Sequence, residues 1–224
     1  ANDMEWKSIF GLRPLPKPAY IKAYEQTLLR KIPKGKPIRE LEFLVFDTET
    51  TGLEVKKDYV LSYGAVIVRN NSIRISESKE LYLKPKKRSK EAVKVHGFVQ
   101  ERPYVSREKL IRSFLADAAN RIIVGHHLGF DLAMLEKVGY QLGLKKIRQP
   151  GLDTYDLAVR LEVGKFYNPH TIAAQDYSLD KLCERYAISL DDRHTAAGDA
   201  LLTAQLLIKL LKVRSEERRV GKEC

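Results

Sequence analysis

The chain has 224 residues, 44% hydrophobic and 31% charged, with a formal charge of +11. That length supports one substantial core; the hydrophobic content argues against a disordered chain and the lack of a long apolar segment against a membrane span, so a globular domain with no membrane partner is expected. The start ANDMEWKSIFGLRP lacks the apolar run of a secretory signal, and Cys183 and Cys224 are too few for a disulfide framework, so a reducing, cytoplasmic setting is expected. The positive charge favours a polyanionic partner.

Residues 1–40 form a basic arm punctuated by prolines, with one helix expected over Ala19 to Ile32 and a face of Tyr20, Ala23, Tyr24, Thr27 and Leu28. Packing of this helix on the domain behind it is the preferred arrangement. Residues 41–213 read as the main domain, and residues 214–224 as a non-native tail, since SEERRVGKEC breaks the preceding pattern. Within the domain, Leu41 to Leu53 starts as an apolar strand and ends in Asp47, Thr48, Glu49, Thr50, Thr51 and Gly52. Asp58 to Val68 reads as a central strand, Asn70-Asn71 as a turn, and Ser72 to Leu83 as a third strand, giving an antiparallel meander.

Ser106 then caps a helix whose stripe is Leu110, Ile111, Phe114, Leu115 and Ala118, and Arg121 to Val124 is a short buried strand. Gly125 to Gly129 reads as a loop, and Phe130 to Val138 as a helix closed by Gly139, with Asp131 near its start. Helices follow over Asp153 to Leu161, Ser178 to Tyr186 and Thr195 to Val213. In the loop between the first two, Phe166, Tyr167 and Tyr177 read mainly as packing or anchoring residues, with base stacking as the alternative.

Asp47 and Glu49 are two positions apart, so in a strand both carboxylates face the same way. Two like charges at the end of a buried strand raise each other's pKa and call for a cation between them. Asp131 and Asp199 add acids at two helix starts. Four converging carboxylates would hold two divalent cations, Mg2+ or Mn2+, roughly 3.5 to 4 Å apart, an arrangement suited to in-line displacement at phosphorus. His194 lies five residues before Asp199, and histidine is a side-chain type suited to general-base work at neutral pH. Taken singly, His194 is more readily a surface or capping residue, Asp131 and Asp199 more readily serve the helix dipole and cap, and Asp47 with Glu49 also fits a strand-end pair satisfied by backbone amides. Their joint appearance in one order is what points to a site.

The order FDTETTG, GHHLGFDLAML, HTAAGDA resembles the three motifs of the DEDDh family of 3′-to-5′ exonucleases, which includes proofreading subunits of bacterial DNA polymerase III and RNase T. The resemblance spans about residues 41–212, with supporting segments EAVKVHG, DTYDLAVRL and SLDKLCERY. It implies an α/β, RNase H-like fold whose mixed sheet has three antiparallel strands followed by parallel strands, flanked by helices. It further implies Asp47, Glu49, Asp131 and Asp199 as metal ligands, His194 as general base, and Thr50, Gly52, Leu53, His96 and His127 as substrate-binding residues. His127 stands where many relatives carry asparagine.

The expected substrate is a single-stranded or frayed 3′ end, DNA ahead of RNA, with a polymerase or repair complex as a further partner. Two alternatives remain open at this level: an exoribonuclease for short RNA, and an accessory module that binds through the arm.

Overall fold

The computed structural model describes residues 17–28, 35–85, 103–164, 166–191 and 193–220, with side chains described as far as residue 214. The apolar stretch after the arm forms β1 (Glu42–Thr50), which carries the acidic DTET segment inside the strand. It pairs antiparallel with β2 (Val60–Arg69), and β2 pairs antiparallel with β3 (Ser72–Leu83), as the meander reading expects. Beyond these come β4 (Tyr104–Val105), β5 (Ile122–Gly125) and β6 (Gly151–Asp153), giving one sheet in the order β4-β3-β2-β1-β5-β6. β5 runs parallel to β1, and β6 parallel to β5. The sheet is therefore mixed, antiparallel on one side of β1 and parallel on the other, as an RNase H-like α/β fold requires.

Alternation along β1 sorts the two layers. Leu44 and Phe46 enter a core with α1 (Ala19–Gln26), α2 (Arg107–Ala118) and α3 (Leu128–Tyr140). Phe43 and Val45 enter the opposite core with α4 (Thr154–Glu162), α5 (Leu179–Arg185) and α6 (Ala196–Val220). Asp47 and Glu49 continue the second face and Thr48 the first. Phe46, Tyr63 and Phe114 pack edge-on or tilted around the centre of the first layer, with centroid separations of 5.2 to 6.1 Å.

The arm helix packs on the domain, as preferred from the sequence, with one change of face. Ile21 and Tyr24 are buried whereas Ala23 is exposed, and the Arg112 guanidinium lies 4.1 Å from the Tyr20 ring centroid. Of the expected span to Ile32, α1 ends at Gln26; residues 1–16, 29–34 and 86–102, which include His96, lie outside the described residues.

Other boundaries also move. The segment expected as a loop up to Gly129 is already helical from Leu128, because the Asp153 carboxylate accepts from the amides of His127 and Leu128 at 3.0 and 2.9 Å and caps α3. Gly139 lies inside α3 rather than closing it: a Cβ there would stand 2.7 Å from Leu144 Cδ2, so its small size serves packing. The helix ends at Tyr140, and Leu144 N donates back to Gly139 O at 3.0 Å to close it. The backbone of α6 stays helical to Val220, past the expected Val213. Tyr177 is buried and Tyr167 packs on the second core, as expected for anchoring residues, but Phe166 is 93% exposed.

Candidate active site

The site forms where β1 meets the start of α6. Asp47 on β1 pairs in register with Gly64 on β2, and Gly64 pairs with Glu80 on β3, so the three lie in one row across the sheet. The first residues of α6 rest directly on the middle of that row. A Cβ on Gly64 would fall 2.1 Å from the carbonyl carbon of Ala196 and 2.2 Å from the amide nitrogen of Ala197. Glu80 Oε1 accepts from Ala197 N at 3.3 Å, and Thr195 Oγ1 accepts from Gly198 N at 3.0 Å, so the exposed amides of the helix start are satisfied from both sides. This seating carries Asp199, in the first turn of α6, over the strand.

The result is a cluster of Asp47, Glu49 and Asp199, each with a carboxylate oxygen within 4.8 Å of the others. All three donors are hard oxygens, a set that fits Mg2+ or Mn2+ and carries none of the thiolate or imidazole donors typical of structural zinc. Asp131, in the first turn of α3, approaches from the other layer. Its Oδ1 accepts from Thr48 N at 3.0 Å and Thr48 Oγ1 at 2.5 Å, which ties the carboxylate to β1 beside Asp47. Asp131 is thus adjacent to the cluster without sharing its tight spacing.

The electrostatics are those of crowded anions. Burial, then the charges of Asp131, Asp199 and Glu49, hold the Asp47 carboxyl well above its ordinary range. Burial and Asp199 raise Glu49, opposed by the nearby His194 and Arg193. Burial pushes Asp131 up to about 7, against the two hydrogen bonds from Thr48. Such a pocket favours any cation that enters it.

Arg193 supplies a cation from the chain itself. Its guanidinium bridges two carboxylates, with Nε donating to Asp180 Oδ1 and Nη1 to Asp199 Oδ2. It ties the loop before α6 to the start of α5. The next residue, His194, is exposed, adopts φ +69° and donates its amide to Asp199 Oδ1 at 3.3 Å. The imidazole is thereby presented to solvent at the rim of the acid cluster.

Sequence reasoning missed Thr48, Gly64, Asp153, Asp180 and Arg193. Only Gly64 leaves a usable trace, since a lone glycine inside a strand commonly marks a close backbone approach. Among the residues expected near substrate, Thr50 Oγ1 donates to Gly52 O at 2.8 Å, and Gly52 lies so close to Asp58 that a Cβ would stand 2.7 Å from Asp58 Oδ2. Leu53 projects from this loop and is 84% exposed. His127 is exposed at φ +60°, its ring 4.7 Å from that of Tyr155. His126 is a packing residue: its Nδ1 lies 2.9 Å from Thr154 Oγ1, and burial lowers its pKa to about 4.

The mixed sheet, with acids gathered from β1, α3 and α6, has the architecture of an RNase H-like α/β fold. The exonuclease family model, RNase_T, matches residues 44–207, and the chain belongs to that family. It is 30% identical over 173 residues to the DNA polymerase III subunit epsilon of Aquifex aeolicus, covering 76% of this chain and 80% of that one. It is 28% identical over 220 residues to a PolC-type DNA polymerase III of Thermotoga petrophila, covering 95% of this chain but 15% of the much longer relative. Among solved structures, E. coli exonuclease I in complex with a dT13 oligonucleotide shares the fold, with a TM-score of 0.61 at 18% identity over 81% of this chain and 43% of that one. Among the described residues, no helix is long and apolar enough to cross a membrane.

Proposed function

We propose that the chain removes single nucleotides from the 3′ ends of DNA, releasing nucleoside 5′-monophosphates, in proofreading or repair. The observation that carries this reading is the convergence of Asp47, Glu49 and Asp199, from two separate elements, within 4.8 Å beside Asp131. Asp47, Glu49, Asp131 and Asp199 would hold two Mg2+ or Mn2+ ions. When bound, such a pair activates water and neutralises charge on a phosphodiester undergoing in-line displacement. His194, exposed at the rim of the cluster, takes the proton of the attacking water. The chain's charge of +11 attracts the phosphate backbone, and Leu53, beside the acids, supplies an apolar surface against the terminal base.

DNA is favoured over RNA because the similar proteins include DNA polymerase III subunits and an exonuclease I bound to an oligodeoxynucleotide. Assembly with a polymerase in the cytoplasm follows from the same similarity, with residues 41–213 as the catalytic domain and the basic arm as the candidate docking segment. The test is a digestion panel of single-stranded DNA, duplex DNA with a mismatched 3′ end and short RNA, with Mg2+ and Mn2+ compared. Shortening from the 3′ end of the DNA substrates is expected. A rate on RNA exceeding that on both DNA substrates would transfer the assignment to an exoribonuclease.

A further inference from the structure

The loop from Thr51 to Tyr59 follows the acids of β1 and presents Leu53, which is 84% exposed, on a segment closely hydrogen-bonded to itself and to α3. Asp58 fastens it from within: Oδ1 accepts from Thr51 Oγ1 at 2.9 Å and Oδ2 from Glu54 N at 2.8 Å, while the Asp58 amide closes a turn onto Glu54 O at 2.8 Å. Thr51 joins both ends, its amide donating to Tyr59 O and its hydroxyl accepting from Tyr59 N, each at 3.0 Å.

The fastening from outside comes from α3. Lys137 Nζ donates to the carbonyls of Asp58, Val55 and Lys56 at 2.6, 2.8 and 3.2 Å, and lies 4.9 Å from the Tyr59 ring centroid. An ammonium has three donors, and here they gather carbonyls from one side of a single loop. Charge-assisted bonds of this kind are stronger than neutral ones, and this set fixes the loop to the helix that also carries Asp131.

We propose that Lys137 is a positioning residue for substrate: it locks the Thr51–Tyr59 loop so that Leu53 is held out, pre-ordered, as an apolar contact for a nucleobase of the bound strand. The cost of ordering the loop is then met during folding rather than at binding, which tightens binding without any contact between Lys137 and the ligand. This rests on the nuclease reading of the adjoining acids, but its test needs no turnover.

Binding of a fluorescent single-stranded DNA oligonucleotide is followed by anisotropy in EDTA, alongside hydrogen exchange of the loop amides. Lys137→Met should raise the oligonucleotide Kd about tenfold and speed exchange across residues 51–59, and Lys137→Arg should recover part of both. Leu53→Ala should weaken binding by about the same factor. The double variant should bind within about twofold of Leu53→Ala alone, because the clamp acts through that leucine. Should Lys137→Met fail to fold, Asp58→Asn loosens the same loop and carries the same expectations. The proposal is overturned if Kd stays within twofold of wild type while loop exchange quickens, or if the two substitutions add in full. Wild-type protein that shows these binding effects but no nuclease activity in Mg2+ or Mn2+ would instead refute the catalytic reading.

Discussion

Gly64→Ala is the substitution that most directly probes how the site is built. The added methyl would lie 2.1 Å from Ala196 C, 2.2 Å from Ala197 N and 2.3 Å from Ala196 O. Reaching ordinary contact requires about 1.3 Å of separation, from 2.1 to 3.4 Å. The obstacle on both sides is backbone, so no rotamer change relieves it: β2 is paired with strands on each side, and the start of α6 is hydrogen-bonded to Glu80. The helix start must lift, and Asp199 lifts with it. Overpacking of this kind costs about 1 to 3 kcal/mol of stability. Misplacing a catalytic constellation by about 1 Å lowers turnover about 10²-fold. The assay pairs urea unfolding with turnover on a single-stranded oligonucleotide in Mg2+. A variant with wild-type unfolding midpoint and turnover within twofold would show that α6 is not seated on Gly64 and that the Asp47–Asp199 spacing is set elsewhere.

Asp47→Asn should abolish turnover and, in EDTA, raise the melting temperature, since it removes a desolvated charge repelled by its neighbours; a lower melting temperature would contradict the electrostatic account. His194→Ala should lose about 10² to 10⁴ in turnover with little change in stability, as befits an exposed base; turnover within threefold of wild type would remove it from the mechanism. For pH, the Asp131 carboxyl is raised to about 7 in the fold, so between the ordinary carboxylate range and that value the folded state binds more protons than the unfolded chain. Stability from this group therefore falls as pH rises. Melting in EDTA should show wild type losing ground against Asp131→Asn from about pH 4 to about pH 7; a flat or rising difference would contradict it. His126, lowered by burial, acts in the opposite sense at acid pH and is cancelled by the comparison.

What could be read from the sequence follows physical periodicity. The alternation from Phe43 to Glu49 determines which side chains share a face, and so puts both acids of DTET on one side of the strand from residue spacing alone. The three antiparallel strands were legible because each is long enough to show its pattern. β4 and β6 were not, being two and three residues long, too short for any period to register. The start of α3 was missed because its cap, Asp153, lies 25 residues away from Leu128 in sequence. The row from Asp47 through Gly64 to Glu80 is a fact of strand register, and the Arg193 bridge between Asp180 and Asp199 a fact of helix packing; neither leaves a local signature.

The claim on which the rest depends is that this acid cluster is a divalent-metal site serving hydrolysis. Crystals grown with Mn2+ and a nucleoside 5′-monophosphate, measured at the manganese edge, test it directly. The account predicts two anomalous peaks roughly 3.5 to 4 Å apart, held by Asp47, Glu49, Asp131 and Asp199, with the product phosphate against them. Manganese bound elsewhere, or no manganese at the acid cluster with Arg193 still paired to Asp199 at saturating Mn2+, would contradict it.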